Sequence, residues 1–254
     1  MAQSLLHRLA RRALRDVVFV RTLPVAFGGA RLFVSPESQL KYLKPGAAGF
    51  DASLLRLAEE LVRPGMTVWD IGANIGVFSF AAAARGARSL AVEPDPVLVN
   101  LLLRSRALKA NKALDVRIAA CAISDTRGLA TFAISAEGRA ANSLSAFLGG
   151  RAEAGLVRDE FLVAIVTLDD LLANSPTPDI VKIDVERAEL AVLQGASHLL
   201  GNVKPVLICE CGRPRWNTMA TFLKSFGYRL YDADVAARIE IDSFAFNTLA
   251  IPAR

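Results

Sequence analysis

The segment Val68-Trp69-Asp70-Ile71-Gly72-Ala73-Asn74-Ile75-Gly76 constrains the chain more than any other. An apolar run of strand length ends in two glycines four residues apart and passes directly into a helical pattern. This predicts a buried strand, a tight turn and a helix N-terminus. Gly72 and Gly76 let backbone approach a ligand closely, and the first N–H groups of the helix point out of its end.

A dinucleotide site would carry G-x-G-x-x-G at this turn, and the second glycine is missing. Asp70 also disfavours a phosphate. A carboxylate at the end of this strand suits a cationic group instead, such as the ammonium or sulfonium of S-adenosylmethionine, whose own carboxylate the helix N-terminus could accept. About twenty residues further on, Glu93 ends the next strand in Ala91-Val92-Glu93-Pro94-Asp95, where an acid can take both ribose hydroxyls. The plainer reading is that the glycines serve the turn and Glu93 caps a helix.

From residue 52 onward, strands alternate with helical patterns, which points to a doubly wound α/β sheet covered on both faces. Strands are expected over 67–73, 89–93, 115–123, 161–168, 180–185, 205–211, 228–231 and 246–251, with the last pair forming a hairpin and seven strands in the sheet. Helices are expected over 52–62, 75–84, 94–111, 188–200 and 217–226, the last stopped by Gly227. Residues 124–155 form a Gly- and Ser-rich insertion, holding the alternating stretch 129–134 and predicted as a hairpin plus a mobile loop. At 254 residues one elaborated domain is expected over 51–254, preceded by a lead-in over 1–50.

Charge narrows the partners. The net charge of +5 is concentrated in about the first forty residues, and no RNA- or DNA-binding signature is present, so nucleic acid is not an expected partner. Leu5, Leu6, Leu9, Ala13, Leu14, Val17 and Val18 recur at helical spacing with Arg8, Arg11, Arg12 and Arg15 between them. This amphipathic basic helix fits a segment packed on the domain, a peripheral membrane contact or a targeting peptide. No secretory cleavage pattern or membrane-spanning run is seen, so a cytoplasmic, at most membrane-associated, protein is expected. Cys121, Cys209 and Cys211 form no C-x-x-C pair and read as packing residues. With two histidines in the chain, no metal site is expected, although Asp169, Asp170 and Asp184 are acids that a metal could use.

In several segments the chain resembles the FkbM family of S-adenosylmethionine-dependent methyltransferases. These are Asp70 to Gly76, Glu93-Pro94, Ala122-Ile123-Ser124-Asp125, Asn142-Ser143-Leu144, Thr167-Leu168-Asp169-Asp170-Leu171 and Val181-Lys182-Ile183-Asp184-Val185-Glu186. The resemblance covers roughly residues 60–250 and implies a Rossmann-like class I methyltransferase fold with S-adenosylmethionine as cofactor. It implies that Asp70, Gly72, Asn74 and Gly76 line the methionine end, that Glu93 holds the ribose, and that Ser124 and Asp125 lie near the adenine. Arg187 departs from the family pattern, which usually has Gly there.

Asp184 ends a central strand at the carboxyl edge, where open α/β sheets bind ligands. It is the leading catalytic candidate, as base or as the group that orients a substrate hydroxyl. Lys182 and Glu186 alternate with it and are expected on the same face. Alternatively, Lys182 simply pairs with Asp184, and Glu186 and Glu189 stabilise a helix start. Asn142 and Ser143 could contact substrate or form a turn, Glu210 is similarly placed near a strand end, and His198 reads as structural. The activity the resemblance implies is O-methylation of a hydroxyl on a sugar, glycolipid or secondary metabolite. The competing reading is a non-catalytic domain of the same fold that recruits a partner or membrane.

Overall fold

The computed structural model describes residue 14 and residues 17–136, 138–147 and 155–253. The expected N-terminal helix lies outside these residues except at positions 14, 17 and 18. So do residues 148–154 of the insertion.

From residue 17 the lead-in is structured. Strands β1 (Phe19–Thr22) and β2 (Arg31–Val34) pair as an antiparallel hairpin. Leu32 and Val34 bury one face, and Leu23, Phe27, Tyr42 and Phe50 join them in the same apolar core as the main body. Each such side chain stabilises the docking by roughly 1.5–3 kcal/mol. Side-chain acceptors fix the register: the Phe33 amide donates to Ser105 Oγ at 2.8 Å and the Arg31 amide to Asn111 Oδ1 at 3.0 Å. Helix α1 (Ala52–Leu61) follows, capped by Asp51, whose carboxylate accepts from the Leu54 amide.

The central sheet is built from β3 (Thr67–Ile71), β4 (Arg88–Val92), β5 (Val116–Ala119), β10 (Ile180–Ile183), β11 (Val206–Glu210), β12 (Tyr228–Asp232), β13 (Glu240–Ile241) and β14 (Asn247–Pro252). Their spatial order is β13-β12-β14-β11-β10-β3-β4-β5. The five strands from β11 to β5 run parallel, and β14 runs antiparallel between β11 and β12. The sheet therefore has eight strands rather than seven. The extra one, β13, is a two-residue edge too short to leave an apolar periodicity.

Helices α2 (Val77–Ala84), α3 (Pro96–Ala107), α4 (Leu168–Asn174), α5 (Glu189–Gln194) and α6 (Trp216–Ser225) cover the faces. Every residue of β3 is buried, as is nearly all of α2, whose alanines allow close approach to the sheet.

The insertion folds as a second sheet of order β6-β9-β7-β8, from β6 (Ala122–Ile123), β7 (Gly128–Ser135), β8 (Ser143–Leu144) and β9 (Val157–Val166). This divides the strand expected over 115–123 and moves the one expected over 161–168 out of the central sheet. Both changes have one cause: Ala122, Phe132, Ile134, Leu144, Val163 and Ile165 bury each other in a small core of their own. Among the described residues no helix is long and apolar enough to cross a membrane.

Candidate active site

The chain leaves β3 towards β4 and β5, then returns on the other side through β10 and β11. Such a reversal leaves a crevice at the carboxyl ends of the strands, where α/β sheets bind ligands. A cavity of about 260 Å³ lies there, lined by residues 70–75, Glu93, the Cys121–Ile123 segment, the insertion, the lead-in and the ends of β10, β11 and β14.

Register sets the chemistry out in rows. Asp70 on β3 faces Lys182 on β10, which faces Ile208 on β11. Residues two further along point to the same side, so Asp184 and Glu210 stand next to each other one step nearer the mouth. Glu210 in turn pairs with Asn247 of β14.

On the β3–β4 side, Glu93 is 5% exposed and accepts from two amides, Asn74 N at 2.8 Å and Asp95 N at 2.9 Å. Burial pushes its pKa up to about 8 against the lowering effect of those bonds. Pro94, Leu98, Ala122 and Ile123 form an apolar wall beside it. A buried acid able to accept from a diol, next to a slot for a flat apolar ring, fits a nucleoside-bearing cofactor. Gly72, at φ +75°, could carry no side chain, since a Cβ would lie 1.8 Å from the carbonyl oxygen of Asp184. Asn74 also adopts a left-handed conformation, with φ +53°. Its Oδ1 accepts from the Ile75 amide and from Ser38 of the lead-in.

Three expected cofactor contacts are relocated. Gly76 does not line the cavity: a Cβ there would lie 2.5 Å from the Leu102 side chain, so it serves helix packing. Ser124 and Asp125 lie behind the cavity against the turn at Gly195, where a Cβ would come within 2.3 Å of the Ser124 carbonyl oxygen. The backbone bends at Cys121, which brings the Cys121–Ile123 segment to the wall instead. Asp70 lines the cavity but is not free to meet a ligand cation. Its Oδ2 accepts from the Ser79 amide and hydroxyl, and its Oδ1 lies 3.2 Å from Lys182 Nζ.

Lys182 is correspondingly locked. Its ammonium donates to the Gly72 carbonyl at 3.1 Å and lies 3.3 Å from Asp184 Oδ2. Burial alone would lower its pKa, but Asp70, Asp184 and Glu210 outweigh it and hold the group above the usual lysine range. A permanently charged lysine is no base; here it joins two strand ends. The expected alternation of Lys182, Asp184 and Glu186 stops after Asp184, because β10 ends at Ile183. Glu186 and Arg187 form a left-handed turn with φ of +50° and +78°. Glu186 still reaches the cavity wall. The buried Glu189 carboxylate closes the turn by accepting from the Arg187 amide at 2.8 Å.

Glu210 was weakly marked in the sequence, being one acid at one strand end. The structure sets it beside Asp184, where burial and then repulsion from Asp184 push its pKa to about 8, opposed by Lys182. Tyr42 is a further lining residue that sequence did not reveal, because it comes from an irregular lead-in.

The insertion is pinned over the crevice by a buried ionic network. Arg139 Nη1 and Asn142 Nδ2 donate to Asp95 Oδ2 at 2.6 and 2.7 Å. Arg139 Nε donates to Glu37 at 2.9 Å, and Arg158 also pairs with Glu37. Asn142 is thus a structural tie. Asp169 accepts from the amides of His198 and Leu199, while Asp170 caps α4 and pairs with Arg127, so neither joins Asp184. Among the described residues no cluster of three or more His, Cys, Asp or Glu could hold a metal ion.

A methyltransferase FkbM from Methylobacillus flagellatus KT superposes with a TM-score of 0.50 at 16% identity, covering 85% of this chain; the chain spans 58% of that protein's length. A TehB-like SAM-dependent methyltransferase from Corynebacterium glutamicum matches at TM-score 0.47 and 12% identity over 82% of this chain and 91% of that one. Magnesium protoporphyrin IX methyltransferase from Synechocystis PCC 6803, solved with bound SAM, matches at TM-score 0.47 and 13% identity over 80% and 77%. A search of curated proteins found no match. The methyltransferase FkbM domain matches residues 70–230, more than half of the sequence and the whole span from the Asp70 turn through β11, and the chain belongs to that family of SAM-dependent methyltransferases.

Proposed function

We propose that the chain transfers the methyl group of S-adenosylmethionine to a hydroxyl oxygen of a sugar, glycolipid or other small hydroxylated molecule. The observation that carries this reading is one continuous cavity, with Glu93 and an apolar slot at one end and the Asp184–Glu210 pair at the other. On this reading Glu93 accepts from the ribose hydroxyls, Pro94, Leu98, Ala122 and Ile123 enclose the adenine, and the Gly72–Asn74 turn borders the methionine part. The bound cofactor supplies an electrophilic methyl group on a sulfonium centre.

The protein's own contribution is alignment and proton control. Methyl transfer is an in-line displacement, so fixing the acceptor oxygen on the far side of the methyl carbon supplies much of the rate. Lys182 holds the Asp184 carboxylate at 3.3 Å and so fixes its direction. An acidic, half-buried acceptor end that offers carboxylates and Asn247 suits the O–H groups of a neutral polyhydroxylated acceptor, and repels an anionic one.

Incubation with methyl-labelled S-adenosylmethionine and a panel of neutral sugars, glycolipids and hydroxylated metabolites tests the assignment. Label is expected in a base-stable ether product. Label appearing only in amines or carboxylates would contradict it.

A further inference from the structure

The acceptor end holds two groups that the donor site does not use, Glu210 and Tyr42. Asp184 is the first candidate for proton acceptor, but its Oδ2 is engaged by the ammonium of Lys182 at 3.3 Å. Glu210 is one strand further from β3, on the same face. Its carboxylate takes part in no hydrogen bond or ion pair among the described residues, and it lines the cavity. Neighbouring strands lie about 4.8 Å apart, which puts Glu210 roughly two strand spacings from the Gly72 turn. That is on the acceptor side of the crevice, with Asp184 between.

Tyr42 is an independent sign of a ligand at this end. It is 2% exposed and lines the cavity, its hydroxyl has no hydrogen-bond partner among the described residues, and the charges of Lys182, Asp51 and Asp184 act on it. A phenol hydroxyl that lines the cavity without a protein partner can donate to or accept from a bound ligand. Tyr42 and Asp51 precede the family-matched span, so the lead-in supplies part of the acceptor end.

We propose that Glu210 is the catalytic residue that takes the proton from the acceptor hydroxyl, and that the Tyr42 hydroxyl is the second contact to that oxygen. The inference rests on the methyltransferase reading. The acceptor oxygen bonds to the methyl carbon of the sulfonium donor while the carbon–sulfur bond breaks and its electron pair stays on sulfur. The hydroxyl proton passes to a Glu210 carboxylate oxygen and from there to solvent. The products are a methyl ether and a neutral thioether. A base whose pKa lies near the working pH is the effective kind, and burial beside Asp184 places Glu210 there.

No acceptor is needed for the test. An ionised carboxylate facing the reacting methyl group favours the cationic sulfonium over the neutral thioether. Affinities for S-adenosylmethionine and S-adenosylhomocysteine are measured calorimetrically on the full chain, on Glu210→Gln and on Asp184→Asn, between pH 6.5 and 8.5. Glu93 titrates in this range too, but it faces the ribose that both ligands share, so its effect cancels in their ratio. Asp184, Lys182, Glu186 and Asp51 also face Glu210, and all four persist in Glu210→Gln. That variant therefore carries their effects and the titration of the ligands themselves.

The wild-type preference for the sulfonium is expected to gain about threefold or more over Glu210→Gln as pH rises, and Asp184→Asn, which removes the repulsion that raises Glu210, is expected to shift that gain to lower pH. Equal pH responses in wild type and Glu210→Gln would overturn the proposal while leaving the donor site intact. Absence of binding by either ligand would instead overturn the methyltransferase reading beneath it. Glu210→Ala replaces Glu210→Gln if the latter does not fold.

Discussion

The ammonium of Lys182 lies 3.2 Å from the carboxylate of Asp70, at the facing ends of two neighbouring strands where both side chains are buried. Removing one member of a buried pair leaves the other charge uncompensated, which costs about 3–5 kcal/mol. Lys182→Met is therefore expected to lose stability on that scale in urea unfolding. Adding Asp70→Asn should return most of it. A loss below about 1 kcal/mol in the single variant would show that the pair contributes no more than a surface ion pair.

Arg139 joins the insertion to both Asp95 and Glu37, with only 11% of its side chain exposed. Arg139→Ala should cost about 3 kcal/mol and speed proteolytic cleavage between residues 128 and 166. Because the Asp95 amide also holds Glu93, affinity for S-adenosylhomocysteine should fall in the same variant. Unchanged cleavage and unchanged affinity together would mean that the network does not hold the insertion down.

The Asp70 turn and Glu93 were legible because each depends on a local pattern, a buried strand ending in a glycine turn or an acid. The parallel core followed from the alternation of strands and helices. The insertion's separate sheet was not legible, because pairing between β7 and β9 is decided by apolar faces some thirty residues apart. For the same reason the roles of Asp70 and Lys182 were only half visible. Their residue types were plain, but that they neutralise each other depends on register across β3 and β10. Ser124 and Asp125 were misplaced by a backbone bend at Cys121 that no residue type announces. Tyr42 and Glu210 stood outside any motif and gained meaning only from the cavity they share.

Arg187 sits at φ +78°, a conformation that disfavours side chains. Arg187→Gly should relieve this strain and raise stability by about 1 kcal/mol, less a few tenths for the added freedom of the unfolded chain. A thermal midpoint increase of about 1–3 °C is expected. A decrease would mean that the Arg187 side chain contributes more than its backbone strain costs.

Glu93 is ordinarily an acid of pKa 4.5 and rises to about 8 on burial. Between those values the folded chain holds a proton that the unfolded chain has released, so stability is greatest below the lower value, falls as pH rises through the window, and levels off above about 8. In the ligand-free protein, Glu93 should contribute on the order of 2–4 kcal/mol to the difference in urea unfolding between pH 5 and pH 8, and because Glu210 is also raised to about 8, Glu93→Gln should remove about half of the total difference. Equal pH dependence in the two proteins would show that Glu93 keeps an ordinary pKa.

The central claim is that the crevice between β3 and β10 holds S-adenosylmethionine with its ribose on Glu93. Calorimetric titration of the purified chain with S-adenosylhomocysteine tests it most directly, with Glu93→Ala as the comparison. The account predicts micromolar binding that, measured above pH 8 where Glu93 is ionised, weakens about tenfold or more in the variant, as expected for the loss of hydrogen bonds to a charged acceptor. Absence of binding to folded wild-type protein, or equal binding to both proteins, would contradict it.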